Sequence, residues 1–182
     1  RHHTWASKMD TPIGYHAVVR LETDEGTVGW GESPAGETWG GADMRYSGES
    51  PETVRHMVEA HLFPAIQDIS PFQIGNIHAR MDKVVKGNPY AKAALDTAIY
   101  DIAGKALGRP VCDLLGGDFR DSIEVTHSLG IMPVDKCIEE AKQAIAEGVL
   151  TIKCKTGLDP ERDVEVVRRL REEVSETVKI RV

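Results

Sequence analysis

The segment Thr151–Glu172, "TIKCKTGLDPERDVEVVRRLRE", joins a short apolar run to an amphipathic helix through a glycine turn. Asp159 is a preferred residue for capping a helix N-terminus, and Pro160 suits the first helical position. The segment therefore predicts a strand, a turn at Gly157 and a helix in direct succession.

The same succession occurs repeatedly in the last third of the chain. Strand-like and helix-like stretches alternate from Ser122 onwards: "SIEVTHSLGI", "PVDKCIEEAKQAIAEGV", "TIKCKTG", "DPERDVEVVRRLREEV" and "TVKIRV". Alternation of this kind predicts right-handed, parallel βαβ units. Because three parallel strands with bare edges are poorly stable alone, we interpret them as the start of a (β/α)₈ TIM-type barrel, which takes about 250 residues.

The first two thirds predict a separate α+β domain. "YHAVVRLETDEGTVGWGES" reads as a hairpin with an acidic, glycine-closed turn, and a glycine-rich loop with Trp39 and Tyr46 follows it. Helices come next, ending in the alanine-rich stretch "YAKAALDTAIYDIAGKALG". We place the domains at residues 1–118 and 119–182. The chain starts without methionine and stops inside the strand "TVKIRV", so we expect it to be a segment of a longer protein.

Lys153 and Lys155 decide between two interpretations of the predicted barrel. Side chains alternate along a strand, so both lysines share one face while Ile152 and Cys154 share the other and can pack under helices. The lysines then point into the barrel at the carboxyl end of a strand, where barrel enzymes keep their chemistry. Two ammonium groups in a partly dry site depress each other's pKa, which suits one as a general base. The alternative is that both extend into solvent from a strand end.

Composition excludes several functions. The net charge of −7 over 182 residues argues against nucleic-acid and anionic-membrane binding. No apolar run approaches the roughly 20 residues that span a bilayer. Three widely spaced cysteines fit free thiols in a reducing compartment, and we expect a cytoplasmic protein.

The whole chain resembles the enolase superfamily, in particular the muconate-lactonizing branch of the mandelate racemase/muconate lactonizing enzyme family. The resemblance lies in Lys153-Cys154-Lys155, in "VRLETDEGTVGWGES", in "NPYAKAALDTAIYDIAGKALGRPVCDLLGG" and in "GLDPERDVEVVRRLRE". It implies an enolase-like capping domain lacking its first strand, followed by the first three strands and two helices of the barrel.

The resemblance also implies a chemistry. Lys155 would remove or return the proton α to a carboxylate, and Lys153 would stabilise the resulting metal-held enediolate. Cycloisomerisation, racemisation, epimerisation or dehydration would follow. Ser128 would contact the substrate, and loops around residues 1–11 and 34–50, with Trp39 and Tyr46, would close over it.

The metal implied by the resemblance is Mg²⁺. Its carboxylate ligands are expected beyond Val182, as is an opposing lysine on the sixth strand, so no residue here is assigned to the metal. The implied partners are a small-molecule carboxylate substrate and further copies in a homo-oligomer. Two alternatives remain open: a non-catalytic scaffold of the same fold, and an anion-binding barrel that uses both lysines only as phosphate contacts.

Overall fold

The structure is a computed structural model that describes residues 2–4, 10–12, 16–34 and 49–182. Its contacts define two compact units. One extends over Gly14–Phe119, and the other contains Arg120–Val182 together with the two short N-terminal strands. These strands are β1 (His2–Thr4) and β2 (Asp10–Pro12), and they pair antiparallel. The domain boundaries at residues 1–118 and 119–182 stay a prediction.

The first unit combines a hairpin with helices. Strands β3 (Ala17–Glu22) and β4 (Val28–Ser33) pair antiparallel around a turn in which Gly26 has φ +83°, as the sequence predicts. The helices that follow are α1 (Pro51–Met57), which continues through a π-helical segment (Val58–Leu62), then α2 (Phe63–Ile66), α3 (Ile74–Val84), α4 (Pro89–Leu107) and α5 (Val111–Leu114).

The alanine-rich face of α4 packs against β4. A Cβ added at Gly31 would lie 1.8 Å from the Ala94 carbonyl oxygen, and one added at Gly29 would lie 2.2 Å from that of Ala98. The small side chains of this face let a glycine-containing strand lie directly on the helix backbone.

The N-terminus of α4 is capped from far away in the sequence. Asn88, at the N-cap, has φ +60° and its side chain caps nothing. Glu49, which is 1% exposed, instead accepts hydrogen bonds from the backbone amides of Tyr90 (2.9 Å) and Ala91 (3.1 Å). Its charge also lies at the positive end of the helix dipole, which favours a carboxylate there.

The second unit has the predicted alternation of strands and helices. In chain order it contains β5 (Thr126–Leu129), α6 (Val134–Ala146), β6 (Thr151–Cys154), α7 (Pro160–Glu173) and β7 (Lys179–Arg181). The strands are parallel in the order β5-β6-β7, so β6 is central. Asp159 caps α7 as predicted, accepting from the Arg162 amide at 3.1 Å.

One face of this sheet is covered by α6 and α7. The buried residues of the shared core come from β5, α6, β6 and α7 and from the turn before β7: Leu129, Cys137, Ile138, Ala141, Ala144, Ile152, Cys154, Val166, Leu170 and Val178. In the part of the chain that the structure describes, no helix has the length and apolarity to cross a membrane.

Candidate active site

The side chains of β6 alternate between the two faces of the sheet. Ile152 and Cys154 are 0% and 3% exposed and pack against the helices, whereas Lys153 is exposed and Lys155 is half-buried. The predicted parity is therefore correct: both lysines belong to the face opposite α6 and α7. Their position at the carboxyl end of the central strand is also as predicted.

Neighbouring strands bring further polar residues onto this face. Ser128 of β5 and Arg181 of β7 are the register partners of Lys153 on its two sides. Adjacent residues point the other way: the His127 Nε2 lies 2.7 Å from Glu140 Oε1 on α6, so His127 belongs to the helix side. The strand geometry thus aligns a hydroxyl, an ammonium and a guanidinium in one row, with Lys155 beyond it.

Lys155 is half-buried and lies near the positive charge of Lys153. Partial burial lowers the pKa of Lys155 below its ordinary value, and the charge of Lys153 lowers it further. Both effects disfavour the protonated amine relative to an exposed lysine. The Lys155 amide continues the ladder to β5 by donating to the Leu129 carbonyl at 3.3 Å.

Cys154 is a packing residue, as the sequence indicates. Burial raises its pKa to about 11, with a further contribution from the nearby Cys137 thiol. A thiol that is buried and neutral at physiological pH is a poor nucleophile.

Two residues of the first turn of α7 escaped the sequence analysis. Arg162 donates to the carbonyl of Lys155 (Nη1, 3.3 Å) and to that of Met132 (Nη2, 2.7 Å), and Asp163 accepts from the amide of Gly157 at 2.7 Å. In a sequence, charged side chains in the first turn of a helix ordinarily indicate a solvent-exposed position. The contact to Met132 extends over 30 positions of sequence, which no local pattern reveals.

Two predicted substrate contacts, Trp39 and Tyr46, lie outside the described residues, as does most of the two loops expected to close over a substrate. Their roles stay predictions, and so does the role of Ser128, whose position alone is given.

The described residues do not fit a metal centre. Among residues 16–34 and 49–182, no group of three or more histidine, cysteine, aspartate or glutamate side chains could hold a metal ion.

Comparison with known proteins identifies the family. The model for the mandelate racemase/muconate lactonizing enzyme N-terminal domain matches residues 11–116. An N-succinyl-L-Arg/Lys racemase of Bacillus cereus is 39% identical over 98% of this chain and 46% of its own length. A muconate cycloisomerase 1 of Pseudomonas putida is 34% identical over 91% of this chain and 43% of its own.

Solved structures give the same result for the fold. The crystal structure of N-succinyl Arg/Lys racemase from Bacillus cereus matches 100% of this chain with a TM-score of 0.86 at 36% identity, over 47% of its own length. That of a dipeptide epimerase from Enterococcus faecalis, complexed with Mg and the dipeptide L-Leu-L-Tyr, matches 99% with a TM-score of 0.86 at 32% identity, over 48% of its length.

These relatives are racemases, epimerases and cycloisomerases, and the chain spans about half the length of those it matches. The matched half contains the capping domain and the beginning of the barrel, in agreement with the two units seen here. The chain belongs to the mandelate racemase/muconate lactonizing enzyme family of the enolase superfamily.

Proposed function

We propose that the full-length protein removes the proton α to a carboxylate and that Lys155 is the base. The observation that carries this proposal is the position of Lys155, half-buried just after the carboxyl end of the central parallel strand and on the face opposite the helices. Burial and the charge of Lys153 lower its pKa, in the direction that a base requires. A general base works best when its pKa lies near the operating pH, because it is then both available and sufficiently basic. An ordinary exposed lysine, with a pKa of about 10.4, does not meet that condition.

Lys153 and Ser128 complete the part of the site that this chain supplies. Removing an α-proton from a carboxylate leaves a second negative charge on its oxygens. The ammonium of Lys153, two residues before the base on the same face, is suited to stabilising that charge, and positioned charges of this kind are often the largest contribution to catalysis. Ser128, its register partner, is suited to donating a hydrogen bond to the substrate.

A divalent metal, Mg²⁺, belongs to the proposal for the full-length protein only. Its ligands would come from residues beyond Val182, since the described residues contain no such cluster. When bound, it would supply positive charge for the carboxylate. We also propose a homo-oligomeric, cytoplasmic enzyme, in line with the sequence analysis.

For the substrate, we propose an N-acylated amino acid as the first class to test. The racemase of N-succinyl-L-Arg/Lys aligns with nearly the whole of this chain at 39% identity. In a racemisation the proton would leave from the face of Lys155 and return from the opposite face, where a group outside this chain would supply it. Muconate cycloisomerisation and dipeptide epimerisation are the alternative reactions within this chemistry.

The test is exchange of the substrate α-proton in D₂O, followed by NMR. The full-length protein with Mg²⁺ is incubated with N-succinyl-L-arginine, N-succinyl-L-lysine, cis,cis-muconate, L-Leu-L-Tyr and L-Ala-L-Glu. We expect exchange, or turnover in the case of muconate, with one of these compounds. No reaction with any of them would contradict the substrate classes proposed here.

An anion-binding barrel is the second candidate. Lys153 and Arg181 are register partners on adjacent strands, so two cations lie side by side on the sheet. This candidate predicts that inorganic phosphate binds in the absence of metal, as measured by isothermal titration calorimetry, and that no α-proton exchanges. A non-catalytic scaffold predicts neither.

A further inference from the structure

The guanidinium of Arg162 connects the two turns that follow β5 and β6. Its side chain is only 14% exposed. Nε and Nη2 both donate to the carbonyl of Met132, at 3.1 and 2.7 Å, in the turn between β5 and α6. Nη1 donates to the carbonyl of Lys155, at 3.3 Å, immediately after β6. The Arg162 guanidinium therefore links the main chain at Lys155, the candidate base, to the turn that follows β5.

Asp163 holds the other side of the same turn. Its Oδ2 accepts from the amide of Gly157 at 2.7 Å, and its Oδ1 accepts from Arg162 Nη1 at 2.7 Å. Burial opposes ionisation of Asp163, but the Gly157 amide and the Arg162 charge outweigh it, and the pKa of Asp163 lies below its ordinary value. The turn is thus clamped at Lys155 and at Gly157 by consecutive residues of α7.

The conformation of the turn makes such a clamp necessary. Gly157 has φ +114°, a backbone conformation that side-chain-bearing residues rarely adopt. A glycine at that position leaves the chain flexible unless its polar groups are bonded. Arg162 Nη2 also lies 3.2 Å from Cys137 Sγ, which places the guanidinium against the buried core rather than in solvent.

We propose that Arg162 is a positioning residue of the active site, which fixes the main chain at Lys155 relative to the turn that follows β5. The proposal rests on the proposed role of Lys155 as the base. Arg162 itself bonds the main chain of the turns and reaches them from the helix side of the sheet. Its action on catalysis passes through the orientation of Lys155, and misplacement of a catalytic group by about 1 Å can reduce the rate on the order of a hundredfold.

The planar fork of arginine is the essential feature. Arg162 donates to two carbonyls in different turns with fixed geometry, whereas a lysine in its place offers a compact point charge on a flexible stem. If the charge alone mattered, the substitution Arg162→Lys would preserve function. We expect that it does not.

The experiment compares Arg162→Lys and Arg162→Met with the control Arg168→Met in the full-length protein with Mg²⁺. Arg168 lies on the same helix but is exposed and pairs only with Glu165 and Glu172 among the described residues. Hydrogen exchange followed by mass spectrometry reports on the turns at residues 130–133 and 155–158. We expect exchange at least about tenfold faster in both turns of the Arg162 variants and unchanged in the control.

Kinetics separate positioning from stability. With the proposed substrate N-succinyl-L-arginine, we expect kcat of both Arg162 variants to fall by about ten- to a hundredfold at temperatures well below their Tm, with KM within about threefold. Wild-type kcat in Arg162→Lys, or a lower Tm with unchanged kcat, would overturn the positioning role.

Failure of this proposal is distinguishable from failure of the proposed function. If the wild-type protein exchanges no α-proton with any of the substrates proposed above, the proposed function fails, and hydrogen exchange alone then decides whether Arg162 anchors the two turns. If one Arg162 variant fails to fold, the other decides. If both fail to fold, Asp163→Asn replaces them, because it removes the charge that pairs with Arg162. Unchanged exchange at both turns in the folded variant contradicts the anchoring role outright.

Discussion

At the scale of single residues, Lys155 and Lys153 differ in their surroundings although they share one face of β6. Lys155 is half-buried and lies beyond the end of the strand, whereas Lys153 is exposed beside Ser128 and Arg181. The difference favours Lys155 as the group that changes protonation. It also leads to a measurable consequence for the pKa of Lys155.

Replacing Lys153 with methionine should raise the pKa of Lys155. The substitution removes the positive charge that disfavours protonation of its neighbour and leaves the larger effect of burial in place. The Lys155 pKa therefore rises towards, but does not reach, the ordinary value for lysine. An NMR titration of the Lys155 side-chain ¹³Cε resonance measures it, with Lys179→Met as the control. A pKa that falls or stays constant would show that the two amines do not interact.

Glu49 supports the fold in the same way that Arg162 supports the turn, through bonds to distant backbone groups. Hydrogen bonds to a charged group contribute about 1.5–3 kcal/mol. In Glu49→Gln, one carboxylate oxygen that accepts from a backbone amide is replaced by an NH₂ group, which is a donor and cannot accept that bond. We expect hydrogen-exchange protection of the first turn of α4 to fall by roughly thirtyfold, which corresponds to about 2 kcal/mol. Glu59→Gln, at an exposed position on a neighbouring helix, should leave it unchanged.

At the scale of elements, sequence reasoning succeeded where the signal is local. The turn at Gly26, the N-cap at Asp159 and the parity of β6 depend on residues within a few positions of each other, and all are confirmed. A serine followed by proline is a less specific signal than the cap at Asp159. Ser70-Pro71 precedes a turn in which the Gln73 amide donates to the Ser70 carbonyl, and α3 begins at Ile74.

The packing of β4 on α4 illustrates what the local sequence leaves undetermined. An alanine-rich helix indicates close approach but does not identify the partner, which is set by contacts some 60 to 70 residues apart in sequence between Gly29 or Gly31 and the helix backbone. The caps and anchors supplied by Glu49 and Arg162 were missed for the same reason. Their partners lie 41 and 30 positions away.

The substitution Gly31→Ala should destabilise the first unit. Its Cβ would overlap the Ala94 carbonyl oxygen at 1.8 Å, and the backbone fixes the positions of both atoms, so neither can rotate away. Overpacking of this kind costs about 3 kcal/mol. Gly75→Ala in α3 is the matched control, because nothing lies within 4 Å of the added carbon, and it should leave stability unchanged or raise it. Chemical denaturation of the full-length protein compares the two, and equal stability would contradict the close contact.

At the scale of the whole molecule, the chain spans about half the length of the relatives it matches, and we propose that it supplies one side of a catalytic site. The described residues supply amines and a hydroxyl but no set of metal ligands. We therefore expect that dialysis of the full-length protein against a chelator abolishes α-proton exchange and that added Mg²⁺ restores it. Exchange that persists in metal-free protein would remove Mg²⁺ from the proposal and leave the lysines as the whole of the charge stabilisation.

The most direct test of the account is α-proton exchange in D₂O by full-length wild-type protein and by Lys155→Ala, each with Mg²⁺ and N-succinyl-L-arginine. Removal of a general base typically lowers the rate by about 10²–10⁴-fold, and we expect a loss in that range for Lys155→Ala with the protein still folded. Exchange at the wild-type rate in Lys155→Ala would contradict the assignment of Lys155 as the base.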